Sequence, residues 1–280
     1  MKNVRIVTDS LANLTEEEIK TYHIDVAYLN ILVDNQSYVE NDPAMAKDRF
    51  YQVLSQAKTL PKTSQPSIGT FLDIFDSYEE GTEIISIHVA STLSGTVDAA
   101  RQAGNMSKNS VTVIECGMAD RAQAYQVIEA AKLAQSGANK EEILAHIQHV
   151  RENTQLYICV FSLDNLVKGG RVSRAKGLLS SLLNIKVIFE VKNGELLPLQ
   201  KGRGAKAIQS FMDETVYPDL EISQIEQCSL SYVKETEFIH AQIQRLSQML
   251  PKEKLHIGYT IPTVAIHTGE GAFAIIYYKK

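Results

Sequence analysis

Tryptophan is absent from the 280 residues, and cysteine occurs only at Cys116, Cys159 and Cys228. An odd, widely spaced trio offers no CxxC metal pair and no disulfide framework. Reduced thiols and a cytoplasmic location are the expectation. Cys159, within Leu156-Tyr157-Ile158-Cys159-Val160-Phe161, reads as a small buried hydrophobe. No run of about 18 uncharged apolar residues occurs, so no integral membrane segment is expected. Met1 to Val7 has no apolar stretch of signal-peptide length. Lys and Arg form no cluster to offset the net charge of −5, which argues against nucleic-acid binding. The phosphate-cradling G-x-x-x-x-G-K-[ST] pattern is missing, and so is the G-x-S-x-G nucleophile elbow.

What remains is an ordinary globular composition, 44% apolar and 22% charged, with ample material for a core. The first half alternates strand and helix. Val4–Val7 reads as a strand, and Thr15 with Glu18 forms a capping box that opens a helix. Val26–Val33 reads as one strand. Ala46, Phe50, Val53, Leu54 and Ala57 repeat at helical spacing. Ile84–Ala90 and Val111–Ile114 read as strands, and two helices follow, through Ala124–Ala131 and Ile143–Val150. This order implies a mainly parallel sheet covered on both faces.

The second half differs. After a strand at Leu156–Phe161 comes a Gly-punctuated, helix-rich region. Lys192-Asn193-Gly194 between apolar runs signals a hairpin. Ile225–Val233, Leu255–Ile261 and Phe273–Tyr278 read as further strands, and Ile239, Ile243, Leu246 and Leu250 mark an amphipathic helix. The polar stretch Arg151-Glu152-Asn153-Thr154-Gln155 suggests a boundary, giving domains at 1–153 and 154–280. The fold class expected is α/β, a mainly parallel sheet in the first domain and a mixed sheet in the second. No internal repeat or low-complexity tract interrupts it.

Two hydroxyl-rich loops carry the chemistry. Lys62-Thr63-Ser64-Gln65-Pro66-Ser67 is bracketed by Pro61 and Pro66, which forbid regular structure there. Ser91-Thr92-Leu93-Ser94-Gly95-Thr96 follows a buried strand. Each precedes a helix, whose N-terminal N–H groups favour an anion, and two such loops on one parallel sheet would converge on one headgroup. Helix capping is the competing reading for each loop alone. Thr8-Asp9-Ser10, Leu166–Ser173 and His267-Thr268-Gly269-Glu270-Gly271 keep them company. Arg171 follows Gly169 and Gly170, so its rival readings are a solvated surface turn and a recognition fork. For His267 the rival is a hydrogen-bonded structural histidine. His88, inside a strand, reads as structural. His146 and His149 share a helix without a third ligand, so no metal site is expected.

These five motifs, in this order, resemble the DegV family of fatty-acid-binding proteins. The most specific are Thr63-Ser64-Gln65-Pro66-Ser67, Leu93-Ser94-Gly95-Thr96 and Leu163-Asp164-Asn165-Leu166-Val167-Lys168-Gly169-Gly170-Arg171-Val172-Ser173. The resemblance implies a three-layer α/β/α domain, a two-layer α/β domain, and a long-chain fatty acid in an apolar tunnel with no other cofactor. Thr63 and Ser94 would bind the carboxylate, with Arg171, His267, Ser64, Gly95 and Thr96 near it. Some members present the fatty acid to a separate kinase subunit, which brings ATP and Mg²⁺ and phosphorylates the carboxyl group. Arg203, in Lys201-Gly202-Arg203-Gly204, and Arg171 would face that kinase. The chain departs from the family pattern at Glu115-Cys116, where Asp followed by Ser or Thr is common. At Glu270 a Pro is common, and the substitution brings negative charge near the anion site. Ala274 stands in place of a glycine.

The competing reading is a hydrolase or acyltransferase, with Ser94 as nucleophile, His267 as base and Asp9 as orienter. A nucleotide-dependent kinase lacks its phosphate loop, and a lipid-sensing regulator lacks a basic recognition face.

Overall fold

The computed structural model describes residues 4–171 and 185–280. The last two residues of the Leu163–Ser173 motif, and most of the Gly-punctuated region after it, lie outside those described residues. Thirteen strands lie within them, in three sheets. β1 (Val4–Asp9), β2 (Asp25–Ala27), β6 (Glu83–His88) and β7 (Ser110–Glu115) form a parallel sheet in the order β2-β1-β6-β7. β3 (Asn30–Val33), β4 (Gln36–Val39) and β5 (Lys62–Ser64) form an antiparallel sheet, β4-β3-β5. The mixed sheet runs β10-β9-β8-β13-β11-β12. Its strands are β8 (Thr154–Val160), β9 (Ile185–Lys192), β10 (Glu195–Arg203), β11 (Ile225–Tyr232), β12 (Leu255–Tyr259) and β13 (Phe273–Lys279).

The parallel sheet is apolar on both faces, as a buried sheet requires. Val4, Ile6, Ile85 and Ile87 pack with the helix Arg121–Gln135, while Val7 and Ile84 pack with the helices Ile68–Asp76 and Thr96–Met106. β13 alternates in the same way. Phe273, Ile275 and Tyr277 join the core that includes the helix Glu237–Met249, and Ala274, Ile276 and Tyr278 face the core built on Arg121–Gln135. That one helix therefore packs between the parallel and mixed sheets. The Thr15–Glu18 capping box forms as expected, with Thr15 Oγ1 accepting from the Glu18 N–H. The Asn193-Gly194 turn closes the β9–β10 hairpin with both residues at positive φ, 51° and 78°.

Two expectations fail. Val26–Val33 is not one strand: the chain turns at Tyr28–Leu29, so β2 joins the parallel sheet and β3 starts the antiparallel one. Pro61 and Pro66 do not abolish regular structure either. They bracket β5, an edge strand whose Thr63 lies opposite Ile31 of β3. Proline is tolerated beside a short edge strand because it need not donate there. Consequently only the Ser91–Thr96 loop sits on the parallel sheet.

The parallel sheet reverses its winding between β1 and β6. The crossover from β1 leads to β2 on one side, and that from β6 leads to β7 on the other. Strand ends at such a switch point open a crevice. Asp120 lies at this crevice, after β7, with φ 56° and ψ −146°, a region costly for any residue but glycine. Its side chain explains the cost. Oδ1 accepts from Asn13 Nδ2 at 2.9 Å, the Arg121 N–H at 2.7 Å and Ser231 Oγ at 2.7 Å, and Oδ2 accepts from Thr260 Oγ1. Asp120→Ala keeps the backbone constraint and orphans these donors. Its expected cost is roughly 1–3 kcal/mol for each donor left unsatisfied, read as a lower denaturant midpoint; a loss below about 1 kcal/mol would show that the network is dispensable.

Candidate functional site

A cavity of about 370 Å³ occupies the crevice. Its walls are apolar: Leu11, Leu29 and Val89 come from the ends of the first-half elements, and Leu156, Ile158 and Phe189 from the mixed sheet. Thr63, Ser64, Ser94, Gly95, Arg171 and His267 are also in its lining. The structure thus brings six of the expected site residues to one cavity from four separate segments. Thr96 is fully buried directly behind, hydrogen-bonded to Ser94 Oγ at 2.8 Å. Arg203 is not among the lining residues: it ends β10, exposed, opposite Ile185.

The hydroxyl loops differ in how they treat their helices. Ser67 Oγ accepts from the Thr70 N–H at 3.0 Å, an ordinary cap for Ile68–Asp76. The helix Thr96–Met106 begins after Gly95 and has no side-chain cap. Its first N–H groups are therefore the ones left for another acceptor. Ser94 is held there by its backbone N–H, which donates to Ala90 O at 3.1 Å. The loop is braced from both sides. Glu115 accepts from Ser91 N at 2.7 Å and Ser91 Oγ at 2.8 Å, and Thr92 Oγ1 donates to Gly194 O in the hairpin turn. The family departure at Glu115 is thus a longer arm holding the loop. Cys116 is buried in the turn below and donates to Met118 O, and burial raises its thiol pKa strongly.

His267 lies near the end of the helix Pro262–Thr268, with Nε2 hydrogen-bonded to Thr63 Oγ1 at 3.1 Å. Its Nδ1 is buried without a partner among the described residues. Burial, reinforced by the Arg171 charge, pulls the ring down to a pKa of about 4, so it is neutral at pH 7. Gly169 makes this packing possible: a Cβ there would stand 2.3 Å from His267 Nδ1. Arg171, two residues on, is half-buried. Its Nε donates to Leu93 O at 3.2 Å and its Nη1 to Gly169 O at 2.6 Å, tying the Gly-Gly segment to the Ser94 loop. A Gly-Gly-Arg turn is therefore neither solvated nor loose.

A hydrolytic relay does not assemble. Asp9 Oδ2 pairs with His88 Nδ1 at 2.8 Å and accepts from the Val89 N–H at 3.2 Å, deep in the sheet. His267 bonds to Thr63, and Ser94 to Thr96. His88 is structural, as its strand position suggests, and Asp9 braces the loop that follows β6. Glu270, expected to place charge near the anion site, instead accepts from Lys234 Nζ at 2.6 Å on the surface. Sequence reading missed Gln65 and Asp120 in the cavity lining. The turn after Cys116 was the available signal for Asp120, since its unusual backbone has no local marker other than Gly117.

The comparisons with known proteins agree with this architecture. The DegV family model matches residues 3–280. A DegV domain-containing protein of Streptococcus pneumoniae serotype 4 is 41% identical over 279 residues, covering 99% of this chain and 98% of its own. Another, from Listeria monocytogenes serovar 1/2a, is 39% identical over 280 residues and is covered to 99%, as is this chain. Two solved structures align over 100% of both chains. One is DegV, a fatty acid binding protein from Bacillus subtilis, at TM-score 0.89 and 26% identity. The other is a Thermus thermophilus DegV family protein described by its fatty acid binding, at TM-score 0.86 and 25% identity. On sequence and fold, the chain belongs to the DegV family.

Proposed function

We propose that this chain is a non-enzymatic, cytoplasmic carrier of a long-chain fatty acid, with the carboxylate at Thr63 and Ser94. The observation that carries the reading is the cavity itself: apolar walls that end at two hydroxyls and an uncapped helix N-terminus. The solved relatives described as fatty acid binding support it. In this reading residues 1–153 supply the headgroup loops and residues 154–280 the rest of the tunnel.

A carboxylate has about four acceptor sites. The Thr63 and Ser94 hydroxyls and the first N–H groups of Thr96–Met106 are the donors nearest to hand. The neutral His267 ring carries one N–H. With that proton on Nε2, the ring donates to Thr63 Oγ1 and frees the Thr63 hydroxyl proton for the ligand; Nδ1 is then a bare acceptor. Ser64 and Gly95 complete the rim, and Thr96 orients Ser94. Each buried methylene contributes roughly 0.8 kcal/mol, so the tail dominates affinity and the hydroxyls fix orientation. Thr63→Val with Ser94→Ala should weaken binding of hexadecanoic acid by roughly 1.5–3 kcal/mol for each lost charge-assisted bond. Calorimetry on the folded double mutant checks this, and wild-type affinity would place the carboxylate elsewhere.

The finer part of the proposal is presentation to a separate kinase subunit that binds ATP and Mg²⁺. The chain lacks a phosphate loop, and its site groups suit a carboxylate without supplying a phosphoryl donor. Arg171, at the rim, and Arg203, exposed at the end of β10, are the basic residues proposed to meet the kinase or hold the acyl phosphate. Arg171→Ala should lower acyl-phosphate formation more than fatty-acid binding, in an assay with a fatty-acid kinase subunit, ATP and Mg²⁺. Product formed by this chain alone would refute the division of labour.

A further inference from the structure

We propose that Glu40 is a positioning residue for the carboxylate site, holding the sheet that carries Thr63 in register with the helix that carries His267. The proposal rests on the fatty-acid reading above and extends it to a residue outside the cavity lining.

Glu40 directly follows β4 and is only 6% exposed. Its N–H donates to Leu29 O at 2.9 Å, which continues the β3–β4 ladder by one residue. The carboxylate then leaves the sheet. Oε1 accepts from the Thr263 N–H at 2.7 Å, and Oε2 accepts from Ser10 Oγ. Ser10 Oγ in turn accepts from the Leu29 N–H at 3.0 Å. Ile261 gives the helix Pro262–Thr268 no side-chain cap, so Glu40 supplies that cap from another element. Lys47, whose Nζ donates to Asn13 Oδ1 at 2.6 Å, is close enough for its charge to favour the carboxylate. Burial raises the Glu40 pKa, against the hydrogen bonds from Ser10 and Thr263 and the Lys47 charge.

The geometry is a clamp with two rungs. Thr263 and His267 are four residues, about one turn, apart on their helix; Thr263 contributes its backbone N–H at the helix start and His267 its ring near the end. Glu40 and Thr63 flank β3, on the extension of β4 and on β5. The first rung is Glu40 to Thr263; the second is Thr63 to His267 at 3.1 Å. Between them Ile31, Ala265 and Ile266 share one apolar cluster and are closely buried. Apolar packing fixes the spacing of sheet and helix but not their sliding, because it is non-directional. The buried carboxylate supplies the direction. Without it the second rung drifts from the distance and angle that a hydrogen bond needs, and the Thr63 hydroxyl loses its aim.

The test uses the full chain and two probes that share a tail, hexadecanoic acid and hexadecanol, with affinities measured by competition and thermal stability recorded alongside. The wild type should prefer the acid. Glu40→Ala should cut that preference about tenfold, the factor for one weakened charge-assisted hydrogen bond, while alcohol binding changes far less. Glu40→Gln keeps an acceptor for the Thr263 N–H and a group that can bond Ser10, and should restore most of the preference. Should Glu40→Ala fail to fold, Ser10→Ala removes one support of the carboxylate and should shift the same ratio in the same direction. Equal losses for acid and alcohol, or an unchanged ratio in the folded variants, would overturn the positioning role. A wild type without acid preference would instead overturn the fatty-acid reading.

Discussion

The Asp120 carboxylate is the constraint on which the cavity depends. It accepts hydrogen bonds from Asn13 after β1, from the start of the central helix, from Ser231 on β11 and from Thr260 after β12. One side chain therefore ties the ends of the parallel sheet to the mixed sheet at the place where the cavity must stay open. A crevice between two apolar sheets would otherwise close to bury more surface. Polar bonds of fixed length resist that collapse. The strained backbone at Asp120 is consistent with this role, since strain persists only where the surroundings over-determine it.

A division of labour follows. Apolar alternation on β8 and β13 builds two cores on opposite faces of the mixed sheet, and position along those strands decides little about specificity. The polar groups are few and each is held by another. Glu115 holds Ser91, Thr96 holds Ser94, His267 holds Thr63, and the Gly169–Arg171 turn is pinned to Leu93. Orientation of a headgroup demands such preorganised donors, whereas retention of a tail demands only area.

Much of this was legible in the chain. Periodicity gave the alternating first half, the Asn193-Gly194 hairpin and the helices at Arg121–Gln135 and Glu237–Met249, because those signals are local. The motifs gave Thr63, Ser94, Arg171 and His267 together with the DegV resemblance. What escaped depends on contacts between distant segments. The break at Tyr28–Leu29 is invisible in an unbroken apolar run, since both halves satisfy strand propensity and only their partners differ. Pro61 and Pro66 look like barriers in the sequence, but a short edge strand leaves room for them. Glu40 and Asp120 look like surface acids until the fold surrounds them. Arg203, which the motif assigns to the kinase-facing side rather than to the headgroup, stands exposed at the end of β10.

The central claim is that the crevice at the switch point holds a long-chain monocarboxylic acid. Native mass spectrometry of the purified full chain, with solvent extraction and identification of whatever it retains, measures this most directly. The account predicts an added mass that matches a single long-chain fatty acid and disappears on extraction. A lipid-free chain that also fails to take up added hexadecanoic acid would contradict it.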